Sequence, residues 1–469
     1  MPVATVAEKI AGWSLGLAFG DLPAPVVHEV KRRVLDTLAC CLGAYDSPAS
    51  VAARAVAPVI GGAPSSHIIG VNEPTTPEDA AFANCVMARY LDWNDTYLSL
   101  EPAHPSDNIL AALSVAEAEG RDGRSFIAAI VAAYEVQCRL CDAASLRARG
   151  FDHVAYGAFA STVAAAMLMG LSRAETVDAL GITGVTSAAL RQTRSGELSM
   201  WKGAAFAHAA RNAVFAARLA KAGMTGPAPV FEGEFGFMKQ VSGRFELPAF
   251  ANKTGPGFKI LDACMKHYPA EYHAQSAIEA ASAICAELKG ATGKIESVTV
   301  HTFRAAYEII GSGEERWRPA TRETADHSLP FLTATALSHG NVTLASFDDE
   351  RLHDERLLKL AAKVRISVDE GLDRLYPKAM PNRVEVRLSS GDVITREVIY
   401  PVGHPVNPLS DAEVEAKFRR LAAWRLTDGE IDAVIREIWR MDELRDAGEI
   451  LRPFSRTTKR AGGKDAVPP

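Results

Sequence analysis

The sequence predicts a mainly α protein, with a large all-helical domain and a smaller α+β one, and three features predict it. Up to about residue 222 the chain repeats Ala-rich segments whose apolar residues fall three and four apart, each closed by a Gly or polar turn. After about residue 290 the period changes to two, as in IESVTVHTF and RVEVRL. From Ser410 helical spacing returns. The expected boundaries are 1–265 for the helical domain, 266–405 for the α+β domain, 406–450 for C-terminal helices that rejoin the first domain, and 451–469 for a basic, polar, disordered tail.

In chain order, MPVATVAEKIAGWSLGLAFG lacks the basic start, apolar core and small-residue cleavage site of an export signal and reads as an amphipathic helix. Pro23 to Arg54 and Thr76 to Tyr90 are helical, with Ser65 to Val71 as a short strand or hairpin between them. Leu91 to Ala111, LDWNDTYLSLEPAHPSDNILA, reads as helix end, loop and helix start: Pro102 and Pro105 forbid a continuous helix, and Ser106 or Asp107 can cap the next one. Helices follow at Ser125–Ala144, His153–Leu171, Arg173–Leu190 and Met200–Ala222. The stretch Val154 to Ser172 is uncharged and nearly of membrane length, but it is built from Ala, Gly, Ser and Thr without flanking anchors. A helix buried on all sides is expected there, and no membrane span. An irregular Gly-rich loop covers Gly223 to Gly243, and FKILDAC is extended before the next helix. Strands are expected at Ile295–Phe303, Lys363–Val368, Arg383–Leu388 and Val393–Ile399, interleaved with helices starting near Ala305, Leu329 and Asp349. Pro401 to Pro408 is a linker, and Ser410–Trp424 and Thr427–Glu443 are helical.

At 469 residues, 48% hydrophobic and 23% charged, the composition is that of a globular protein. A net charge of -6 gives no reason to expect nucleic acid or an acidic membrane surface as partner, so any anionic ligand must be met by locally placed cations. Seven cysteines, an odd number without an export signal, fit a reducing cytoplasm without structural disulfides. Cys138 and Cys141 form a CxxC, yet YEVQCRLCDAA is mid-helix, where such a pair is packing. With no third Cys at cluster spacing, no HxxxH or DxH pattern, and no GxxxxGKS or GxGxxG, neither metal, iron–sulfur cluster nor nucleotide cofactor is expected.

Side chains must then carry any chemistry. Asp92 and His104 bracket an aromatic loop as a proton-transfer pair would, although a capped helical corner has the same residues. His153 stands before the uncharged helix, where the helix dipole favours a neutral ring and attracts a carboxylate; it reads equally as a cap or a core histidine. Lys202 heads an otherwise small and apolar helix, and by itself reads as a snorkelling surface lysine. Lys266, His267, Tyr268 and His273 gather around the turn at Pro269.

Read together, LDWNDTYLSLEPAHPSDN, GFDHVAYGAFAST, ALRQTRSGELSMWKGAA, GMTGPAPVFEGEFGFM, KHYPAEYHAQSAIEAA and TRETADHSLPF occur in an order that resembles the MmgE/PrpD family, whose members include 2-methylcitrate dehydratase and cis-aconitate decarboxylase. The resemblance runs from about residue 5 to about 445. It implies a helical domain made of both chain ends, a smaller α+β lid domain, a homodimer, and an active site between helical domain and lid that needs neither metal nor cofactor. It places Asp92, His104, His153, Lys202 and Lys266 in that site, with Thr96 and His327 as substrate-binding neighbours.

Dehydrating a citrate-like acid means removing a proton beside a carboxylate, and Lys202 and Lys266 would receive the developing charge while binding the substrate's carboxylates. His104 and His153 are the acid–base candidates, with Asp92 orienting or charging one of them. Glu101, three residues before His104, favours the dehydratase branch. The expectation is therefore a cofactor-independent hydro-lyase acting on 2-methylcitrate or a close tricarboxylate. The alternatives are a decarboxylase or epimerase of the same family acting on another small polycarboxylate, and a non-catalytic polycarboxylate-binding protein.

Overall fold

A computed structural model describes residues 4–252 and 257–454. The first part contains helices α1 (Val6–Leu15), α2 (Ala24–Ala44), α3 (Pro48–Ala55), α4 (Pro77–Tyr90), α5 (Asn108–Ala118), α6 (Gly123–Ala143), α7 (Val154–Met169), α8 (Arg173–Thr186) and α9 (Trp201–Lys221). Their starts follow local chemistry. Thr5 and Glu8 form a capping box on α1, Ser172 and Glu175 one on α8, and proline occupies the first turn of α2, α3 and α4, where its missing N–H costs nothing. The uncharged helix α7 is buried along its whole length except Met167, as its all-round apolar surface requires. Gly157 lets it approach α9: a Cβ there would stand 2.1 Å from the Phe206 ring. Among the described residues no helix is long and apolar enough to cross a membrane.

The second part begins with α10 (Gln275–Leu288), then β1 (Ile295–Thr302), α11 (Arg304–Ile310), α12 (Arg322–Ala325), α13 (Leu329–His339), α14 (Asp349–Leu352), α15 (Glu355–Ala361), β2 (Val364–Val368), α16 (Glu370–Asp373), β3 (Asn382–Leu388) and β4 (Val393–Val398). The strands form one sheet in the order β2-β1-β3-β4, parallel between β1 and β2 and antiparallel elsewhere. Val298 faces Val386 and Val300 faces Val384 in the register, and all four are buried on the face that α10 covers. The chain ends in α17 (Asp411–Ala422) and α18 (Asp428–Trp439), of which α17 packs on α2.

Two apolar cores result. One joins α1 to α9 with Val414, Phe418 and Leu421 of α17 and Ile431 and Ile435 of α18; the other spans residues 264–386. The two parts of the chain meet along Leu91–Ala111: Trp93 Nε1 donates to the His267 carbonyl at 3.0 Å, and Thr96 pairs with Cys264.

Several local expectations need correction. Ser65–Val71 forms a single bridge, Ser66 with Thr75, instead of a strand. FKILDAC contains a 3-10 turn at Lys259–Asp262. Neither Ser106 nor Asp107 caps α5 with its side chain: a 3-10 turn at Pro105–Asp107 leads into the helix, and Asp107 instead accepts from Asn94 Nδ2 at 2.7 Å. Ordered chain passes the expected boundary at 451, because Ala447–Phe454 is a 3-10 helix that buries Ile450, Leu451 and Phe454. The remainder of the expected disordered tail, 455–469, lies outside the described residues.

Candidate active site

Asp92 is the hub of the seam. It follows the C-terminus of α4 with φ of 51°, a left-handed conformation that Asp tolerates better than most residues but that still costs about 1–2 kcal/mol. That turn aims its carboxylate back at Arg89, one helical turn earlier, with which it forms a buried ion pair. Lys266 Nζ donates to Asp92 Oδ1 at 2.8 Å and to its backbone carbonyl at 2.9 Å. The other oxygen, Oδ2, has no hydrogen-bond partner and lies 3.4 Å from both Lys202 Nζ and His327 Nδ1. Burial pushes the Asp92 carboxyl up, but Arg89, Lys202, Lys266 and His327 outweigh it and hold it well below the usual carboxylate range.

A second acidic residue closes the cluster from the α+β side. Asp326, at the end of α12, accepts from Lys202 Nζ at 2.9 and 3.1 Å and faces His327 Nδ1 at 2.5 Å. Asp92, Asp326 and His327 are close enough to hold a metal ion. The chemistry of the set argues against one: the Lys202 ammonium already stands 2.9–3.4 Å from all three, and Lys266 and Arg89 take the other Asp92 oxygen.

The two histidines of the helical part have different surroundings. His104 is held at both nitrogens, Nδ1 at 2.7 Å from the Asp95 carbonyl and Nε2 at 2.8 Å from Arg89 Nη2. An arginine can only donate, so His104 Nε2 is the acceptor and the ring is neutral; burial, with Arg89 and Lys266, holds its pKa well below the ordinary value. His153, in contrast, is held at one side. Its Nδ1 faces Asp152 Oδ1 at 3.0 Å, while Nε2 is buried without any partner. It stands at the start of α7 but makes no side-chain cap, so the capping alternative fails. The two rings lie 5.5 Å apart, and burial lowers the His153 pKa against the pull of Asp152. An Asp–His pair with the far nitrogen unengaged is the arrangement that makes imidazole a base.

Of the sequence-expected residues, then, Asp92, Lys202, Lys266, His104 and His327 fall into one connected cluster, and His153 stands next to His104. Lys202 is buried, which removes the snorkelling alternative. Lys202, expected with Lys266 to meet substrate carboxylates, is paired with Asp92 and Asp326, and Lys266 with Asp92. Thr96 ties the loop together: its hydroxyl donates to the Ala103 carbonyl at 3.2 Å, and its backbone pairs with Cys264. Asn94, Asp95 and Ser106 are braces, with Asp95 accepting from the Ser106 N–H at 2.9 Å and the Tyr134 hydroxyl at 2.7 Å. Sequence reasoning missed Arg89, Asp152 and Asp326. Each had a signal: Arg89 is a lone charge in the apolar run MARYL, and each acid directly precedes its histidine in a DH pair. A cavity of about 170 Å³ borders Trp93 and Lys266 but touches neither His104, His153 nor Lys202.

Residues 8–249 match the MmgE/PrpD N-terminal domain and residues 268–441 the MmgE/PrpD C-terminal domain. The chain belongs to the MmgE/PrpD family. Within this family it is 30% identical to 2-methylcitrate dehydratase of Cupriavidus necator over 413 residues, covering 82% of this chain and 83% of the relative. It is also 30% identical to 2-methylcitrate dehydratase of Escherichia coli (82% and 83% covered) and to the mitochondrial 2-methylcitrate dehydratase of Yarrowia lipolytica (88% and 84% covered).

Proposed function

We propose that the protein is a hydro-lyase that dehydrates 2-methylcitrate, or a close alkyl-substituted tricarboxylate, to a methylaconitate-type product without a cofactor. The observation that carries the reading is the Asp152–His153 pair: His153 Nε2 is buried without a partner, and its ring lies 5.5 Å from that of His104, which Arg89 joins to the cationic cluster. Family membership and the names of the relatives supply the substrate class.

In this reading His153 Nε2 takes the proton next to a carboxylate, and Asp152 stabilises the imidazolium that forms. The enediolate charge falls in the field of Lys202, Lys266 and Arg89, where one preorganised donor contributes roughly 3 kcal/mol to the barrier reduction. Asp92 pairs with those cations and fixes them in place. His104, held at both nitrogens, positions Arg89. His327, backed by Asp326, protonates the departing hydroxide. The neutral state of the three rings in the free enzyme suits this, because an entering polyanion raises the proton affinity of each. A cytoplasmic homodimer is part of the proposal: the cysteines are free thiols, and α9 exposes Trp201 and Phe215.

Incubation of the purified protein with 2-methylcitrate should raise the ultraviolet absorbance of a conjugated enoic acid. Folded protein that turns over neither 2-methylcitrate nor any alkylcitrate homologue overturns the proposal. Light scattering that gives a monomer mass removes the homodimer alone.

A further inference from the structure

The turn Arg147–Arg149 and the turn Arg191–Arg194 lie side by side at the His153 end of the site. Arg191 N donates to the Gly150 carbonyl at 3.0 Å, Asp152 N donates to the Ala189 carbonyl at 2.9 Å, and Phe151 bridges Leu190. This pairing brings Arg147, Arg191 and Arg194 together next to the Asp152–His153 pair. Only Arg194 has an acidic partner, Asp152 Oδ2 at 2.9 Å, and its Nη2 is buried with no partner. Arg147 and Arg191, each half-buried, make no ion pair and no side-chain hydrogen bond among the described residues. Arg149 points elsewhere, donating to the Val241 carbonyl at 2.9 Å.

The nearest further carboxylate does not neutralise the group. Glu101 Oε2 is spent on the Ser145 hydroxyl and the backbone N–H groups of Leu146 and Arg147. Burial and then the like charge of Arg147 lower the Arg191 pKa against the opposing pull of Glu101 and Asp152, so the guanidinium groups are only partly compensated. From the α+β part of the chain Tyr376 faces the same field: Arg147, Glu271 and Glu101 act on its hydroxyl, which is buried and unpartnered. Gathering cations this way is costly unless an anion repays it, and the planar guanidinium is suited to binding carboxylates two bonds at a time.

We propose that Arg147, Arg191 and Arg194, with the Tyr376 hydroxyl, form a carboxylate-binding subsite beside the His153 base that takes a substrate carboxylate other than the one that becomes the enediolate, and so selects tricarboxylates over dicarboxylates. It rests on the hydro-lyase reading for the identity of the substrate, but not for the anion chemistry. Lys202 and Lys266 are occupied by Asp92 and Asp326 and Arg194 by Asp152, so Arg147 and Arg191 supply the unpaired positive charge near the His153 base.

The test uses Arg147→Gln and Arg191→Gln in the full-length protein; Arg194 is left intact because it contacts Asp152. Neither side chain has an ion pair to lose, so both variants should fold, with circular dichroism as control. Each is expected to raise KM for 2-methylcitrate about 10- to 100-fold with kcat within about threefold, the loss of one charge-assisted contact. An unchanged KM in both overturns the subsite and leaves the hydro-lyase reading standing. Should the wild type turn over nothing, calorimetry with citrate and with malate as probes decides instead. A citrate Kd about tenfold or more weaker in the variants, with malate unaffected, upholds the subsite while the hydro-lyase reading fails. Equal citrate Kd values in wild type and variants overturn it.

Discussion

Replacing Asp92 with Asn keeps the shape of the hub and removes its charge, and the structure says how much that should cost. Three fixed cations face Asp92, but they do not lose equally. Lys202 keeps Asp326 at 2.9 Å. Arg89 keeps Asp107 at 3.8 Å, although burial raises that carboxyl to a pKa of about 7 and leaves it partly neutral at physiological pH. Lys266 has no other acid within ion-pair distance among the described residues, and so becomes one uncompensated buried charge. Breaking a buried pair by removing one partner costs about 3–5 kcal/mol, so Asp92→Asn should lose about that amount and not a multiple of it. Asn tolerates a left-handed turn at least as well as Asp, so backbone strain adds nothing. Urea unfolding followed by circular dichroism, carried out on Asp92→Asn, Lys266→Met and the double variant, measures the cycle. The double variant should be more stable than Asp92→Asn alone by at least about 1 kcal/mol, because the orphaned ammonium is gone. A loss below about 1 kcal/mol, or a double variant that is merely additive, would refute the view of Asp92 as the hub of a buried ion network.

His153→Gln should lower kcat about 10²- to 10⁴-fold with little effect on stability, and Asp152→Asn should lower it less; near-normal turnover in steady-state assays would exclude His153 as the base. Stability should fall on acidification. His104, His153 and His327 all have folded pKa values lowered by burial, so their contribution is present above the unfolded histidine value near 6.5 and is lost as pH falls below it. Asp107, with its folded pKa raised to about 7, works against them between about pH 4 and 7. Three protons taken up on unfolding minus one released bounds the slope at about 2.7 kcal/mol per pH unit, a limit approached only about one unit below pH 6.5 where the unfolded histidines are fully protonated, and denaturation midpoints that stay flat from pH 7.5 to 5.5 would contradict the neutral assignment of these rings. Gly157→Ala sets a methyl 2.1 Å from the Phe206 ring and should cost about 1–3 kcal/mol, read as a lowered denaturation midpoint.

The helical domain was legible because its signals are local. The all-apolar surface of α7 foretold burial on every side, and α2, α4 and α8 begin within a residue of the starts that apolar spacing set at Pro23, Thr76 and Arg173. The strands were legible from their period of two, and even the edge strand β4 was placed within a residue. What escaped was long-range. Nothing near Lys202 in sequence reveals Asp326, 124 residues away, with which its ammonium is paired in the fold. His104 and His153 read alike as isolated histidines, and what separates them is the pair of bonds from Arg89 and Asp95 that only the fold supplies. The resemblance to a family named residues that the fold does gather in one place, without saying which charges were already spent on one another.

The same long-range logic gives the C-terminal helices a part in the site. Lys417 of α17 is buried beneath the hub, where its Nζ donates to Asp36 Oδ1 and the Trp93 carbonyl, each at 2.6 Å, and to the Lys266 carbonyl at 3.5 Å. Trp93 directly follows Asp92, so a single ammonium ties the backbone beside the hub to the backbone of the lysine that binds it. Buried carbonyls need donors, and Asp36 needs a counter-charge, so Lys417→Met should destabilise the fold by about 3–5 kcal/mol. That loss alone would not separate a counter-ion from a positioning residue. Adding Asp36→Leu to Lys417→Met removes the stranded carboxylate and should restore much of the stability, while the two carbonyls remain untied and Asp92 and Lys266 are free to drift. Misplacing such groups by about 1 Å can cost about 10²-fold in rate. The double variant is therefore expected to recover its denaturation midpoint but not its kcat. Recovery of both would reduce Lys417 to a partner for Asp36.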